Sequence, residues 1–192
     1  MRHVLALTVL VGGCATAHGP LVPHDVMNRP SLQLFTPYGF GHGCPVDDAI
    51  FTARHLVQPS PQMPPTGVTF RDEAGVVRVA RTLGTSWAED VAIIDPGGAV
   101  LTYYEMGPEP TPGEVVYWWE YAQVAGPDIL RAKLRGAPLL RAPAGHLVLS
   151  ESPVPGASGS CAFNAQGQVV GIVVWGNPEM GFAIVAPLIT VQ

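Results

Sequence analysis

Charge is scarce in this chain. Only 13% of its 192 residues are charged, and lysine occurs once, as Lys133. The few basic residues are scattered, so no basic stripe is available to track a nucleic-acid backbone. The net charge of −5 points away from nucleic acid as well. Cysteine is nearly absent, with three residues, which excludes a small disulfide scaffold. No stretch carries a sustained 3.6-residue apolar period, so no major helix is expected. The one conspicuous apolar run, Val4–Val11, is too short to cross a bilayer as a helix.

Glycine and proline, by contrast, are abundant at 22 and 20 residues. Proline breaks helices and strand ladders, so the elements must be short and divided by many turns. With 47% apolar residues, the chain has enough to pack a core and is not disordered. Short strands with frequent turn signals point to an all-β barrel or sandwich.

Strand signals begin near residue 32. The pattern predicts strands at Leu32–Thr36, Ala49–Ala53, Val68–Arg71, Val76–Ala80 and Val91–Ile94. The segment Gly107–Gly113 (GPEPTPG) reads as an internal boundary. Beyond it, strands are predicted at Val115–Trp119, Ile129–Leu134, His146–Leu149, Val169–Trp175 and Phe182–Val185. Five or six strands on each side of the boundary suit two antiparallel barrels, one over about 31–106 and the other over about 113–192.

The N-terminus reads as an export signal. Arg2 precedes the apolar run, and small residues follow it. Two exits are open. Val11-Gly12-Gly13-Cys14 resembles a bacterial lipobox, which implies cleavage before Cys14 and lipidation of its sulfur. Ala15-Thr16-Ala17 suits ordinary signal peptidase. The signal then covers residues 1–17, or ends before Cys14 on the lipobox exit, and the mature protein is expected in a bacterial cell envelope, lipid-anchored, periplasmic or secreted. An apolar segment docked on the domain is the plainer alternative. Residues 18–30, rich in Pro, His and Gly, form an arm. Cys44 and Cys161 then remain, either paired in an oxidising compartment or as two buried thiols; sequence leaves both open.

Three short segments carry chemistry. Ala49-Ile50-Phe51-Thr52-Ala53-Arg54-His55 is an apolar strand that delivers a histidine at its tip. Asp90-Val91-Ala92-Ile93-Ile94-Asp95 opens a strand with a carboxylate; Asp95, before Pro96, reads as a turn. Pro155-Gly156-Ala157-Ser158-Gly159-Ser160 crowds a serine with small residues. Such a loop lets backbone N–H groups converge on a developing oxyanion. Each segment alone has an ordinary structural reading: a surface histidine, a strand start, a hairpin turn.

Together, and in the order His, Asp, Ser, they resemble the chymotrypsin-like serine peptidases. Thr52-Ala53-Arg54-His55 is similar to that family's T-A-x-H block, Asp90-Val91-Ala92-Ile93 to D-[IVL]-A-[LIV], and Gly156-Ala157-Ser158-Gly159-Ser160 to G-x-S-G-[GS]. Gly171-Ile172-Val173-Val174-Trp175-Gly176 is close to the strand that lines the substrate cleft in trypsin-like members. The short spacings between the three blocks resemble the compact bacterial HtrA-type core, as does Gly181-Phe182-Ala183-Ile184. The length leaves no room for the PDZ domain such proteins carry.

The resemblance implies a double barrel of two six-stranded antiparallel sheets, with a serine endopeptidase site between them. It assigns His55, Asp90 and Ser158 as the triad and the N–H groups of Gly156 and Ser158 as the oxyanion hole. Val174, Trp175, Gly176, Ser152 and Gly181 would bind substrate. The primary pocket should be uncharged and favour an apolar residue. The substrate is protein or peptide, no cofactor or metal is called for, and any membrane contact runs through Cys14.

Two departures matter. Ala157 stands where members activated by N-terminal cleavage carry Asp, so no activation of that kind is expected. Val174 replaces a serine whose hydroxyl orients the triad carboxylate.

Three other readings compete with this one. An inactive relative kept as a binding module is the main one, and filled triad positions argue against it. An α/β-hydrolase requires a histidine after the nucleophile, and none follows Ser158. A metal site of His42, Cys44 and His55 near Asp47 and Asp48 lacks a recognised ligand spacing; His42 and Cys44 read instead as part of a strand and turn.

Overall fold

The structure is a computed structural model, and it describes residues 31–123, 130–140, 147–151, 153–177, 179, 181–186 and 188. The signal segment, the arm, Cys14 and Ser152 lie outside the described residues.

The first lobe holds β1 (Leu32–Thr36), β2 (Gly39–Val46), β3 (Ala49–Ala53), β4 (Val68–Arg71), β5 (Val77–Ala80), β6 (Thr82–Ser86) and β7 (Val91–Ile94), with a one-turn helix α1 (Arg54–Val57) after β3. These form a seven-stranded sheet in the order β5-β4-β1-β2-β3-β7-β6. Six strands were expected here. The difference is local: β5 and β6 are consecutive, separated only by Arg81. One bent strand thus supplies both edges of the sheet, which curls back on itself and leaves little edge open to other chains.

The second lobe holds β8 (Val115–Gln123), β9 (Leu130–Leu140), β10 (Leu147–Leu149), β11 (Cys161–Phe163), β12 (Val169–Asn177) and β13 (Phe182–Ala186). Its six strands close into a barrel, order β10-β13-β12-β11-β8-β9. All strand pairings in both lobes are antiparallel. The protein is all-β with a chymotrypsin-like double-barrel arrangement.

The strands that bound the seam between the lobes are apolar on both faces. In β7, Ala92 and Ile94 enter the first lobe's core, while Val91 and Ile93 turn to a cluster shared between the lobes. In β3, Ile50 and Phe51 divide in the same way. In β8, Val116 and Trp118 fill the second barrel while Tyr117 and Trp119 face the seam. This is the two-residue alternation of a strand with cores on both sides. It explains why these strands read as continuous apolar runs. Burial of this kind contributes on the order of 2 kcal/mol per large side chain. Cys44 of β2 and Cys161 of β11 form a disulfide across the same seam, their Cα atoms 4.9 Å apart. The open alternative of the sequence resolves to a bond, and Cys44 is no thiolate ligand.

Candidate active site

β3 and β7 are antiparallel neighbours with Ala53 opposite Val91. The residues just after β3 and just before β7 therefore meet at one end of the sheet. The chain leaves β3 through α1, which carries His55 on its first turn. The Arg54 N–H donates to the Asp90 carbonyl at 2.7 Å, extending the pairing by one step. Asp90 itself has φ 57, a left-handed conformation that Asp tolerates better than most residues. That turn aims its carboxylate back at α1. Oδ1 accepts the His55 backbone N–H at 3.1 Å, and Oδ2 lies 2.7 Å from His55 Nδ1.

A carboxylate only accepts, so the Nδ1 hydrogen is the donor in that bond. In the neutral ring this leaves Nε2 as an acceptor. Nε2 faces Ser158 Oγ at 3.1 Å. The three residues proposed from sequence are thus brought together, with His55 and Asp90 contributed by the first lobe and Ser158 by the second.

Ser158 sits in a loop whose shape depends on glycine. Gly156 has φ 98 and Gly159 φ 83. A Cβ at Gly159 would lie 2.0 Å from the His42 carbonyl and 2.4 Å from Thr52 Oγ1, so no side chain is accommodated. The Gly159 N–H donates to the Val173 carbonyl at 2.7 Å, and the Ser158 carbonyl accepts from His42 N–H at 2.8 Å. Both bonds hold the nucleophile loop, one from each lobe. His42 is fully buried and touches Ser31 through Nδ1. Burial alone holds its pKa down to about 3, so it is neutral at ordinary pH.

Among the described residues, neither the Gly156 nor the Ser158 backbone N–H donates to another group. The loop around them is supported from below. The Ala157 side chain is buried in the second barrel's core. Its N–H donates to the Val154 carbonyl at 3.2 Å, and the Val154 N–H donates to Glu120 Oε1 at 3.2 Å. Glu120 is buried and also accepts the Trp118 indole N–H at 3.0 Å. Apolar packing and a buried carboxylate thus support the loop from the second barrel.

A cleft of about 180 Å³ opens beside Ser158, lined by His55, Pro153, Val154, Pro155, Val173, Val174, Trp175 and Gly176. Among the described residues lining it, none is Asp, Glu, Lys or Arg. β11 pairs with β12 only as far as Ile172, and Val173 exchanges bonds with Gly159 and Ser160, so Val174–Gly176 runs on beside the cleft. Val174 is the extra residue of a bulge between Val173 and Trp175, a device that re-aims strands near functional sites. Gly181 is exposed at the turn before β13 and does not line this cleft. Asp95, the competing acid, pairs with Arg81 at 3.2 Å and accepts the Gly97 N–H in a turn.

Sequence reasoning missed two residues. Arg54 reaches Asp90 with its side chain, and Glu120 anchors the nucleophile loop. Arg54 stands at a variable position of its block and Glu120 interrupts an apolar strand, so neither gave a signal without its partner in space.

Residues 41–172 match the trypsin-like peptidase domain family. No curated protein sequence matches the chain. Among solved structures, the serine protease of a human pathogenic astrovirus is similar, with a TM-score of 0.65 at 18% identity, covering 82% of this chain and 88% of that one. The serine endoprotease of Yersinia pestis is similar at a TM-score of 0.60 and 16% identity, covering 85% of this chain and 61% of that one. At these identities the two structures speak for the fold, while the family match spans more than half of the sequence. The chain belongs to the trypsin-like peptidase domain family of serine endopeptidases.

Proposed function

We propose that this endopeptidase works through an acyl-enzyme on Ser158, with His55 and Asp90 completing the triad. His55 Nε2 takes the Ser158 hydroxyl proton as Oγ attacks the peptide carbonyl carbon. Asp90 keeps the ring oriented and stabilises the imidazolium. The carbonyl oxygen becomes an oxyanion that the Gly156 and Ser158 N–H groups receive. The C–N bond then breaks as His55 returns the proton to the leaving amine. Water, deprotonated by His55, attacks the acyl carbon and releases the acid, and the proton returns to Ser158 Oγ. Loss of one oxyanion donor typically costs roughly a hundredfold or more in rate.

The observation that carries this reading is the unbroken relay, 2.7 Å from Asp90 Oδ2 to His55 Nδ1 and 3.1 Å from His55 Nε2 to Ser158 Oγ. The uncharged cleft supports preference for an apolar residue before the scissile bond. Val174–Gly176 is suited to pair with the substrate backbone as an added strand. The buried disulfide supports folding in an oxidising compartment, in keeping with export.

A fluorophosphonate probe tests the reading. It should label the folded protein at Ser158 alone, and Ser158→Ala and His55→Ala should abolish labelling. On peptides with an apolar residue before the scissile bond, Asp90→Asn should fold and lose about four orders of magnitude in turnover. Folded wild-type protein that neither labels nor cleaves such peptides would instead be the binding module.

A further inference from the structure

The Asp90 carboxylate is gripped from a side the triad reading does not use. Oδ2 serves His55, while Oδ1 takes the His55 backbone N–H and, at 2.9 Å, Nη2 of Arg54. Arg54 is itself held at three points. Its Nη1 donates to the Gln58 carbonyl, its Cζ lies 3.5 Å from the centroid of the Trp87 ring, and its Nη2 meets Asp90. The residue is nine-tenths buried. Gln58 is fixed in turn by Thr85 Oγ1 and the Met63 carbonyl. On the other side, the hollow next to Asp90 is walled by Ala88, Glu89, Val148, Val174, Trp175 and Ile184. Arg54 thus joins His55 as a side-chain donor to this carboxylate.

We propose that Arg54 is a positioning residue for catalysis: its stacked guanidinium fixes the plane of the Asp90 carboxylate so that Oδ2 stays aligned with His55 Nδ1. This rests on the triad reading above. The physical basis is that without Arg54 the Oδ1 side keeps only the 3.1 Å bond from the His55 backbone N–H, which restrains rotation about the terminal carboxylate bond less, and small misplacements of a triad member cost orders of magnitude in rate. A guanidinium suits the role because it is planar, stacks on an aromatic face, and stays protonated throughout the working pH range. Arg54 does not move a proton.

The test compares wild type, Arg54→Ala and Arg54→Met, the last keeping apolar packing against Trp87. The readouts are peptide hydrolysis, the rate of fluorophosphonate labelling, and the downfield NMR resonance of the His55 Nδ1 proton. Both variants should show kcat lowered 10- to 100-fold with KM within twofold, and labelling slowed by the same factor. The downfield resonance should shift or broaden. Added ethylguanidinium should restore Arg54→Ala saturably and leave Arg54→Met unchanged. A folded variant with wild-type kcat and labelling rate overturns the proposal. So does failure of both variants to fold, because Arg54 is then a structural residue, and so does loss without guanidinium rescue in a folded Arg54→Ala. If wild type itself does not label while His55→Ala is indistinguishable from it, the triad reading has failed, a result separate from any of these.

Discussion

Asp90 and His42 are residues whose surroundings were invisible along the chain but decisive in space. At φ 57 Asp90 sits in a region that costs a non-glycine residue of order 1–3 kcal/mol. The cost is offset by what the turn makes: the bond from Arg54 N–H to the Asp90 carbonyl and two acceptor bonds to His55. His42 shows the opposite economy, a titratable ring kept neutral by burial behind the nucleophile loop. Its folded pKa is about 3 against 6.5 for the free side chain. Between those values the unfolded chain binds a proton that the folded one refuses. Stability from this source is therefore full above about pH 6.5, declines as pH falls, and is fully lost near pH 3. The decline is about 1.4 kcal/mol per pH unit. Urea unfolding should show wild type losing about 2 kcal/mol more than His42→Gln between pH 6.5 and 5. Equal pH slopes for the two proteins would mean that His42 protonates in the fold.

At the scale of elements, most strands with an alternating or β-branched pattern are legible, whereas the glycine-rich β2 and the short β6 and β11 are less so. β1, β3, β4 and β7 have the bounds the sequence suggests, and β5, β10, β12 and β13 differ at one end by one or two residues. β2 is legible only as a strand and turn around His42 and Cys44, without bounds, and β6 and β11 carry no strand signal. In β2 the reason is close packing: a Cβ at Gly41 would lie 2.7 Å from the Ser158 carbonyl, and one at Gly43 would lie 2.6 Å from Ile50. Those glycines lower strand propensity locally because another element must come near, which no local pattern records. β8 and β9 run longer than expected, and Gly136 in β9 lies against the Tyr117 ring for the same reason. The triad was legible because its three blocks keep characteristic neighbours. Its supports, Arg54 and Glu120, have no such neighbours.

Glu120 makes β8 part of the site. Removing its acceptor leaves the fully buried Trp118 N–H without its partner, which costs about 1–3 kcal/mol. It also frees Val154 and, through Val154, the loop that aligns the Gly156 and Ser158 N–H groups. Glu120→Leu should therefore lower stability by that amount in urea unfolding and reduce kcat/KM about tenfold or more. Glu120→Gln, which keeps an acceptor oxygen, should stay near wild type in both. If Glu120→Leu loses stability but not turnover, the nucleophile loop is held without β8.

At the scale of the whole molecule, function depends on keeping the two lobes in register, because the relay crosses between them at the His55–Ser158 contact. The seam has three kinds of fastening. Apolar side chains from β3, β7, β8 and β12 form one shared cluster. A hydrogen bond from the His42 N–H to the Ser158 carbonyl crosses it. The Cys44–Cys161 bond closes a loop over a separation of 117 residues. In the chain-entropy account, a loop of that size restricts the unfolded ensemble by close to 5 kcal/mol. That is a large fraction of the roughly 5–15 kcal/mol that stabilises a typical domain. Replacing both cysteines by alanine should lower the melting temperature by roughly 10–20 °C. The position of the bond adds a functional effect: Cys161 lies three residues after Ser158, on the strand that the nucleophile loop enters. The double variant should therefore lose activity at temperatures well below its own melting point, as the serine loop moves relative to His55. Parallel scans of fluorophosphonate labelling and circular dichroism against temperature separate the two effects. If labelling and secondary structure disappear together in the variant, the disulfide stabilises the fold as a unit and the register of the lobes is set by packing alone.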